Sequence, residues 1–333
     1  MTSLLHNHAS LLTSKNLLAF SAGIDSSALF FMLIEHNIPF DLAIVNYGIR
    51  EQSNAEEAYA NALGEKYNLK VFTSKAPQWS SHFEANARDF RYAFFHKLID
   101  EFSYDTLLTA HQLNDQLEWF LMRLSKGAGV SELLGLQEIS IRKTQKNIKY
   151  KLLRPLLEYT KDELLEYLEE HNYPYYVDES NASTKYERNR FRKEWSDPFI
   201  KQYAKGIKKS FKYLQRDREL IENGIETLYS NQALRVVELG REELKSRAVD
   251  LTLKELGYLL SASQRLEIEK SDSVVIGGKW AVVYQENRLY IAPFLNLPMP
   301  KRFKDLCRVS SLPIKIRPYC YEHNIEPKEI MSL

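Results

Sequence analysis

Cysteine is nearly missing from this sequence. Two thiols in 333 residues, Cys307 and Cys320, offer neither a disulfide framework nor a Cys-x-x-Cys pair, so both are expected to be buried and inert. Long apolar runs are missing as well, since none approaches the roughly 18 residues that cross a bilayer. The start, MTSLLHNHASLL, has no basic segment and no sustained apolar core, so no secretory signal is expected and the expected location is cytoplasmic. Net charge is small too, at +1. The 44% hydrophobic and 27% charged residues are those of an ordinary globular protein, and the length allows two domains and a small third. That neutrality is an average: between Lys185 and Arg218 twelve Lys or Arg face four Asp or Glu, a local footprint for a polyanion.

What is present is concentrated in Asn16 to Phe31, NLLAFSAGIDSSALFF. Leu17 to Phe20 is the short unbroken apolar run of a strand buried on both faces of a parallel sheet. Ser21, Ala22 and Gly23 then turn the chain, Asp25, Ser26 and Ser27 are placed to cap, and Ala28 to Leu33 reads as a helix. A strand that turns tightly into a helix N-terminus presents free amides and the positive end of a dipole, which suits a phosphate or pyrophosphate. The loop has no lysine and no Gly-Lys-Ser/Thr ending, so it is not a Walker loop.

Further along, Asp41 to Asn46 reads as a second buried strand, and Ser53 to Glu56 as a capping box opening a helix that runs to about Tyr67. Lys70 to Ser74 is a third strand. His82 to Glu101 shows helical spacing of Phe90, Phe94 and Leu98, and Thr106 to Ala110 is a fourth strand before a helix from Asn114 to near Gly127. Strand and helix alternate, which implies an α/β unit with a parallel sheet. Ligands in such sheets bind at the carboxyl ends of the strands, where SAGIDS, VNYGIR and AHQLND all begin. Asp115 and Glu118 are three apart on the last helix and would share one face. From Trp195 to Tyr229 the chain reads as helices broken at Asp197-Pro198, and Val236 to Leu260 also as helical. Ser273 to Gly278 and Trp280 to Tyr284 look like two strands joined by a Gly-Gly-Lys hairpin, with Arg288 to Ala292 as a third. The expected plan is a parallel twisted sheet with helices on both faces over 1–193, a helical connector over 194–230 and a small α+β accessory domain over 231–333.

SAGIDS resembles the SGGxDS loop of the pyrophosphatase-type P-loop (PP-loop) ATPases. The remaining blocks are VNYGIR at 45–50, Glu84-Ala-Asn-Ala-Arg88-Asp-Phe-Arg91-Tyr92, AHQLNDQLEW at 110–119, Arg154-Pro-Leu-Leu157, Asp178-Glu-Ser-Asn181 and Arg188-Asn-Arg-Phe-Arg192. Their order and spacing resemble those of the tRNA(Ile)-lysidine synthetases, a likeness that is weak beyond about residue 200. The resemblance implies an adenine nucleotide alpha hydrolase-like fold and ligation of free L-lysine to C2 of the wobble cytidine in the CAU anticodon of tRNA(Ile). ATP would give AMP and pyrophosphate through an adenylated cytidine, and the lysidine formed changes decoding from AUG to AUA.

The same resemblance implies roles. ATP is expected at Ser21, Ala22, Gly23, Ile24, Asp25, Ser26, Asn46 and His111, with Mg²⁺ at Asp25. Lysine is expected at Asp115 and Glu118. Asp25, Arg91, Asp115 and Glu118 form the catalytic set, Arg91 lying against the phosphates, where a fork of donors suits a phosphoryl group. The tRNA is expected on Arg154, Arg188, Arg190 and Arg192, on Lys208, Lys209 and Lys212, and on the accessory domain. Two basic stretches suit its phosphates, Arg142 to Lys151 and Lys185 to Arg218. Tyr186, Phe191, Trp195, Tyr203 and Phe211, interleaved in the second, are expected to be helix core rather than base-stacking platforms. A homodimer is left open. Three positions depart from the family pattern: Ala22 for a glycine, where a Cβ would crowd a phosphate or demand φ below zero, Asn114 for an aspartate, and Trp119 for a threonine. Rival readings are a thiolating or amidating relative, the first disfavoured by the cysteine count, and a nucleotide- and RNA-binding module without catalysis.

Overall fold

The computed structural model describes residues 2–48, 52–79, 81–177 and 187–333, and their side chains except those of residues 2–6 and 52. Ile49, Arg50, Asp178 to Asn181, Lys185 and Tyr186, singled out above, lie outside the described residues. The chain divides into two compact units, Met1–Gln215 and Arg216–Leu333.

The first unit runs α1 (Thr2–Thr13), β1 (Asn16–Phe20), α2 (Ile24–Glu35), β2 (Phe40–Asn46), α3 (Gln52–Tyr67), β3 (Val71–Lys75), α4 (Phe83–Phe102), β4 (Thr106–Leu108), α5 (Leu113–Leu124), α6 (Val130–Leu133), β5 (Ile139–Lys143), β6 (Lys149–Leu153), α7 (Lys161–Glu170) and α8 (Glu187–Phe191). A π-helical turn (Arg192–Ser196) then leads into α9 (Asp197–Glu222). Its sheet has the order β3-β2-β1-β4-β6-β5. All neighbours are parallel except β5, which pairs antiparallel with β6. Side chains alternate across it with the two-residue period of a strand. Leu18, Phe20, Leu42 and Ile44 pack with α2, α3 and α7 on one face, whereas Leu17, Ala43, Leu107 and Leu152 pack with Phe95, Leu98 and Ile99 of α4 on the other. Both faces are covered, so the middle of these strands is apolar on both sides. The chain leaves β1 for β2 on one side and comes back to β4 on the other. The loops after β1 and β4 therefore diverge and open a crevice at the carboxyl ends of the strands.

Several local expectations need correction. The N-cap of α2 is Gly23, with no side-chain cap, and Asp25, Ser26 and Ser27 belong to the helix itself. Ala22 has φ +59°, above zero, and its side chain is fully buried in the apolar core. Its Cβ thus points away from the bend's open side. Helix α3 already contains Gln52, which places Ser53 inside its first turn rather than at its cap. The basic stretch Arg142 to Lys151 is the β5–β6 hairpin, with Arg142, Lys143, Lys146 and Lys149 exposed.

Unit boundaries also differ from those expected. Ile200, Ile207 and Phe211 of α9 pack against Leu113 and Leu117 of α5, so the first half of the expected connector is part of the α/β unit, and the division falls within α9. The second unit carries β7 (Ile225–Asn231), β8 (Leu234–Leu239), α10 (Lys245–Glu255), α11 (Ala262–Lys270), β9 (Ser273–Ile276), β10 (Trp280–Gln285), β11 (Arg288–Pro293), α12 (Lys301–Val309), α13 (Arg317–Glu322) and α14 (Pro327–Met331). Its sheet is antiparallel, in the order β7-β8-β11-β10-β9. The expected Gly-Gly hairpin joins β9 to β10, Gly277 and Gly278 both having positive φ. Strand β8, read above as helical, is a short apolar run buried on both faces, Leu234 and Val236 toward α12 to α14 and Val237 and Leu239 toward α10 and α11. Two-sided burial removes the alternation that would have marked it as a strand.

Candidate active site

The crevice between the β1 and β4 loops is a cavity of about 470 Å³ within the first unit. Its floor is the β1–α2 bend. Ser21, Gly23, Ile24, Asp25 and Ser26 line it, and because Gly23 supplies no side-chain cap, the first-turn amides of α2 keep their capacity for an anion. Ser26 ties the bend to itself: its Oγ accepts from the Ser21 amide at 3.2 Å, lies 3.1 Å from Ser21 Oγ and donates to the Gly23 carbonyl at 3.2 Å. The Ala22 carbonyl accepts from the Tyr176 amide at 2.8 Å and from Ser27 Oγ at 3.2 Å. These bonds hold a non-glycine residue in the left-handed region at a cost of roughly 1 kcal/mol or more.

Asp25 is the bend's acid. Its Oδ1 is buried without a hydrogen-bond partner among the described residues. Burial, reinforced by Asp115 and opposed by Lys161 and Arg192, pushes its pKa up to about 7. An orphaned carboxylate oxygen beside a phosphate-shaped bend fits a divalent cation. Among the described residues no cluster of three or more His, Cys, Asp or Glu stands ready to hold one, so phosphate oxygens and water would have to complete its shell.

Across the cavity stand β4's loop and α5. Gln112 caps α5 in a capping box, its side chain accepting from the helix and Asp115 Oδ2 accepting from the Gln112 amide at 3.1 Å. Asp115 lines the cavity at 8% exposure and Glu118 lies one turn behind it at 2%. Neither carboxylate is empty. Arg192 reaches Asp115 at 2.7 Å and Glu118 at 2.9 Å, and Arg188 reaches Asp115 at 3.2 Å and also bonds Glu118 through Nε. Burial raises the pKa of Asp115, but His111, the two arginines and the Gln112 amide outweigh it and hold the carboxyl below its ordinary value. For Glu118 burial prevails over the arginines and lifts its pKa. His111, 3.1 Å from Thr109 Oγ1 through Nδ1, is pushed down to about 4 by burial and by Arg154, Arg188 and Arg91 against the pull of Asp115. Arg91 lines the cavity beside Tyr47, whose hydroxyl is raised by burial against the pull of that guanidinium.

Other expected residues fall elsewhere. Asn46 does not line the cavity: its amide donates to Asn54 and Glu57 at 3.0 and 2.7 Å and its oxygen accepts from the Gly48 amide, which braces the loop after β2. Arg154 is 3% exposed and donates to the Gln137 carbonyl at 2.7 Å, so it presents no surface to a macromolecule. Arg188 and Arg192 turn inward to the carboxylates, and of the three alternating arginines Arg190 is the exposed one. Lys208 bonds Glu163 at 2.7 Å, Lys212 pairs with Glu158 at 2.9 Å, and Lys209 lies 5.5 Å from the Tyr213 ring centre. Trp195 and Tyr203, expected in the core, are 59% and 54% exposed, whereas Phe211 is buried.

The departures at 114 and 119 have partners. Asn114 donates to Asp197 at 2.7 Å and accepts from the Lys161 amide at 3.2 Å, which joins α5, α7 and α9. Trp119 donates to the Glu132 carbonyl at 2.8 Å and fills space that Gly135 leaves, where a Cβ would lie 2.6 Å from its Nε1. Sequence reasoning missed Lys161, which lines the cavity from the first turn of α7. A signal was available, because a lysine there opposes the helix dipole and needs a reason.

A family described as PP-loop domain matches residues 2–197. The chain is 44% identical to a tRNA(Ile)-lysidine synthase of Campylobacter jejuni, the match covering 94% of each chain. It is 42% identical to the enzyme of the same name from Wolinella succinogenes, over 94% of each, and 40% identical to that of Helicobacter pylori, over 92% of this chain and 89% of that one. Among solved structures, the U34-tRNA thiolase NcsA from Methanococcus maripaludis superimposes with a TM-score of 0.51 at 21% identity, over 66% of this chain and 80% of that one, a likeness of fold. With a PP-loop bend, an uncapped helix and paired acids in one crevice, and relatives matched over nearly its whole length, the chain belongs to the tRNA(Ile)-lysidine synthase family of PP-loop ATP-using ligases.

Proposed function

We propose that this protein joins free L-lysine to C2 of the wobble cytidine in the CAU anticodon of tRNA(Ile), by way of an adenylated cytidine. The observation that carries the reading is that Asp25 and Asp115 line one cavity together with the β1–α2 bend. ATP lies with its phosphates on the amides after Gly23 and on Ser21 and Ser26, with Arg91 and Lys161 supplying positive charge. Asp25 would hold Mg²⁺, which would neutralise charge on the phosphates. Cytosine O2 attacks the α-phosphorus and pyrophosphate leaves. The lysine ε-amine then attacks C2, and AMP departs with O2.

Lysine arrives as an ammonium, with a pKa of about 10.4, and must lose a proton before it can attack. Asp115, held ionised, binds that cation, and Glu118, raised by burial, accepts the proton. Both acids are paired with Arg188 and Arg192, so lysine enters by exchange with a guanidinium rather than into an uncompensated anionic pocket. Thiolation is not supported, because both cysteines are buried in the core of the second unit. The test is direct: protein, ATP, Mg²⁺, labelled lysine and a CAU-bearing tRNA(Ile) transcript should yield AMP and lysine-labelled tRNA. Absence of both products would overturn the proposal.

A further inference from the structure

Helix α9 and the turn before it carry a second apolar stripe that the first unit does not bury. Trp195, Phe199 and Tyr203 are 59%, 49% and 54% exposed, and the Phe199 and Tyr203 rings lie 5.0 Å apart. They recur every four residues, Trp195 in the π-helical turn, Phe199 in α9 and Tyr203 at a kink in it (φ −128°, ψ 18°), beside the buried stripe of Ile200, Ile207 and Phe211. Surrounding side chains are mostly basic, with Glu194 an exposed acid among them. Lys193, Lys201 and Lys205 are exposed and make no ion pair among the described residues. Three large rings left in water among uncompensated cations suit one kind of partner, which brings flat apolar faces and phosphates together.

We infer that Trp195, Phe199 and Tyr203 form a stacking platform for unpaired RNA bases next to the modified nucleotide. This rests on the reading of the cavity as a site acting on a tRNA base. A base entering that cavity must leave its stack, and its neighbours lose a face each. The platform begins where they would be, because Arg192 bonds the cavity-lining Asp115 and Trp195 follows three residues later. Aromatic stacking is indifferent to base identity, so the platform supplies affinity and placement and leaves selection to other contacts. A second copy of this chain would cover the rings equally well but leave the lysines facing one another.

The test uses the full chain and a CAU-bearing tRNA(Ile) transcript. Trp195→Ala and Phe199→Ala should each raise the Kd for tRNA about five- to tenfold, and Trp195→Phe should restore it to within about twofold. Trp195→Leu should not, which separates stacking from plain apolar burial. AMP release at saturating tRNA should stay within about twofold of the unsubstituted protein, and thermal unfolding should be unchanged. Unaltered tRNA affinity in the alanine variants, rescue by leucine, or a fall in oligomeric mass on substitution would overturn the platform while leaving the catalytic reading intact. Failure of the unsubstituted protein to bind tRNA would remove both.

Discussion

The two units treat buried charge differently. In the α/β unit, Asp115, Glu118 and Arg192 are all largely shielded, and Asp25, Asp115 and His111 are shifted by charged neighbours as well as by burial. In the antiparallel unit, Lys245 is buried but Asp272 is exposed, and Arg235 is buried but Glu255 is exposed, while Glu222 sits half-buried between Arg218 and Arg247. Burial leads the pKa shifts found there, as with Cys320, pushed up to about 12. Charges left at the rim cost little. A region that binds anions and moves protons withdraws them from water, where each neighbour matters more.

The contrast breaks if charge in the crevice proves to be merely structural. Asp115→Asn keeps shape and removes the anion, so lysine incorporation at pH 7.5 should fall by about 10²- to 10⁴-fold with tRNA affinity nearly intact. Both are measurable on the same preparation. Equal loss of both would assign Asp115 to the scaffold. In the second unit the largest effect should be one of stability alone. Leu234, fully buried against α12 to α14, loses about 2–5 kcal/mol on replacement by alanine, and denaturant unfolding should show that loss equally at pH 5 and pH 8.

Asp25 gives the crevice a pH signature that the second unit lacks. Its carboxyl titrates near 3.8 when unfolded and near 7 in the folded chain, so the folded state binds more protons between those values. Stability therefore falls as pH rises through that window, and above about pH 7 the whole penalty is present. Asp25→Asn removes it, and should stabilise the ligand-free protein by roughly 2–4 kcal/mol at pH 8, the gain fading to nothing below about pH 4. No gain at pH 8 would show that Lys161 and Arg192 already compensate the Asp25 charge.

How much of this was legible in the sequence follows from the range of the interactions. The β1–α2 bend, the alternation of strand and helix and the shared face of Asp115 and Glu118 depend on residues a few positions apart, and periodicity reports those. The sequence offers Arg188 and Arg192 to the tRNA and not to the carboxylates, because their partners lie 70 to 77 positions away, which no local pattern encodes. Trp195 and Tyr203 were read as core because two adjacent apolar stripes on one helix look like a single wide one. Strand β8 lost its alternation to helices on both sides.

The smallest effect concerns the residue that looked most troublesome. Ala22 has φ +59°, so replacing it by glycine relieves left-handed strain of about 1–2 kcal/mol. The same change removes a methyl group buried in the core, worth about 0.8 kcal/mol, and loosens the unfolded chain by roughly 0.4–1 kcal/mol. These contributions offset, and stability should change by less than about 1 kcal/mol. Because the methyl group points into the core while the cavity is lined by its neighbours Ser21 and Gly23, the KM for ATP should stay within about twofold. A tenfold fall in KM would mean that the Cβ reaches the phosphates after all, and that the bend moves when nucleotide binds.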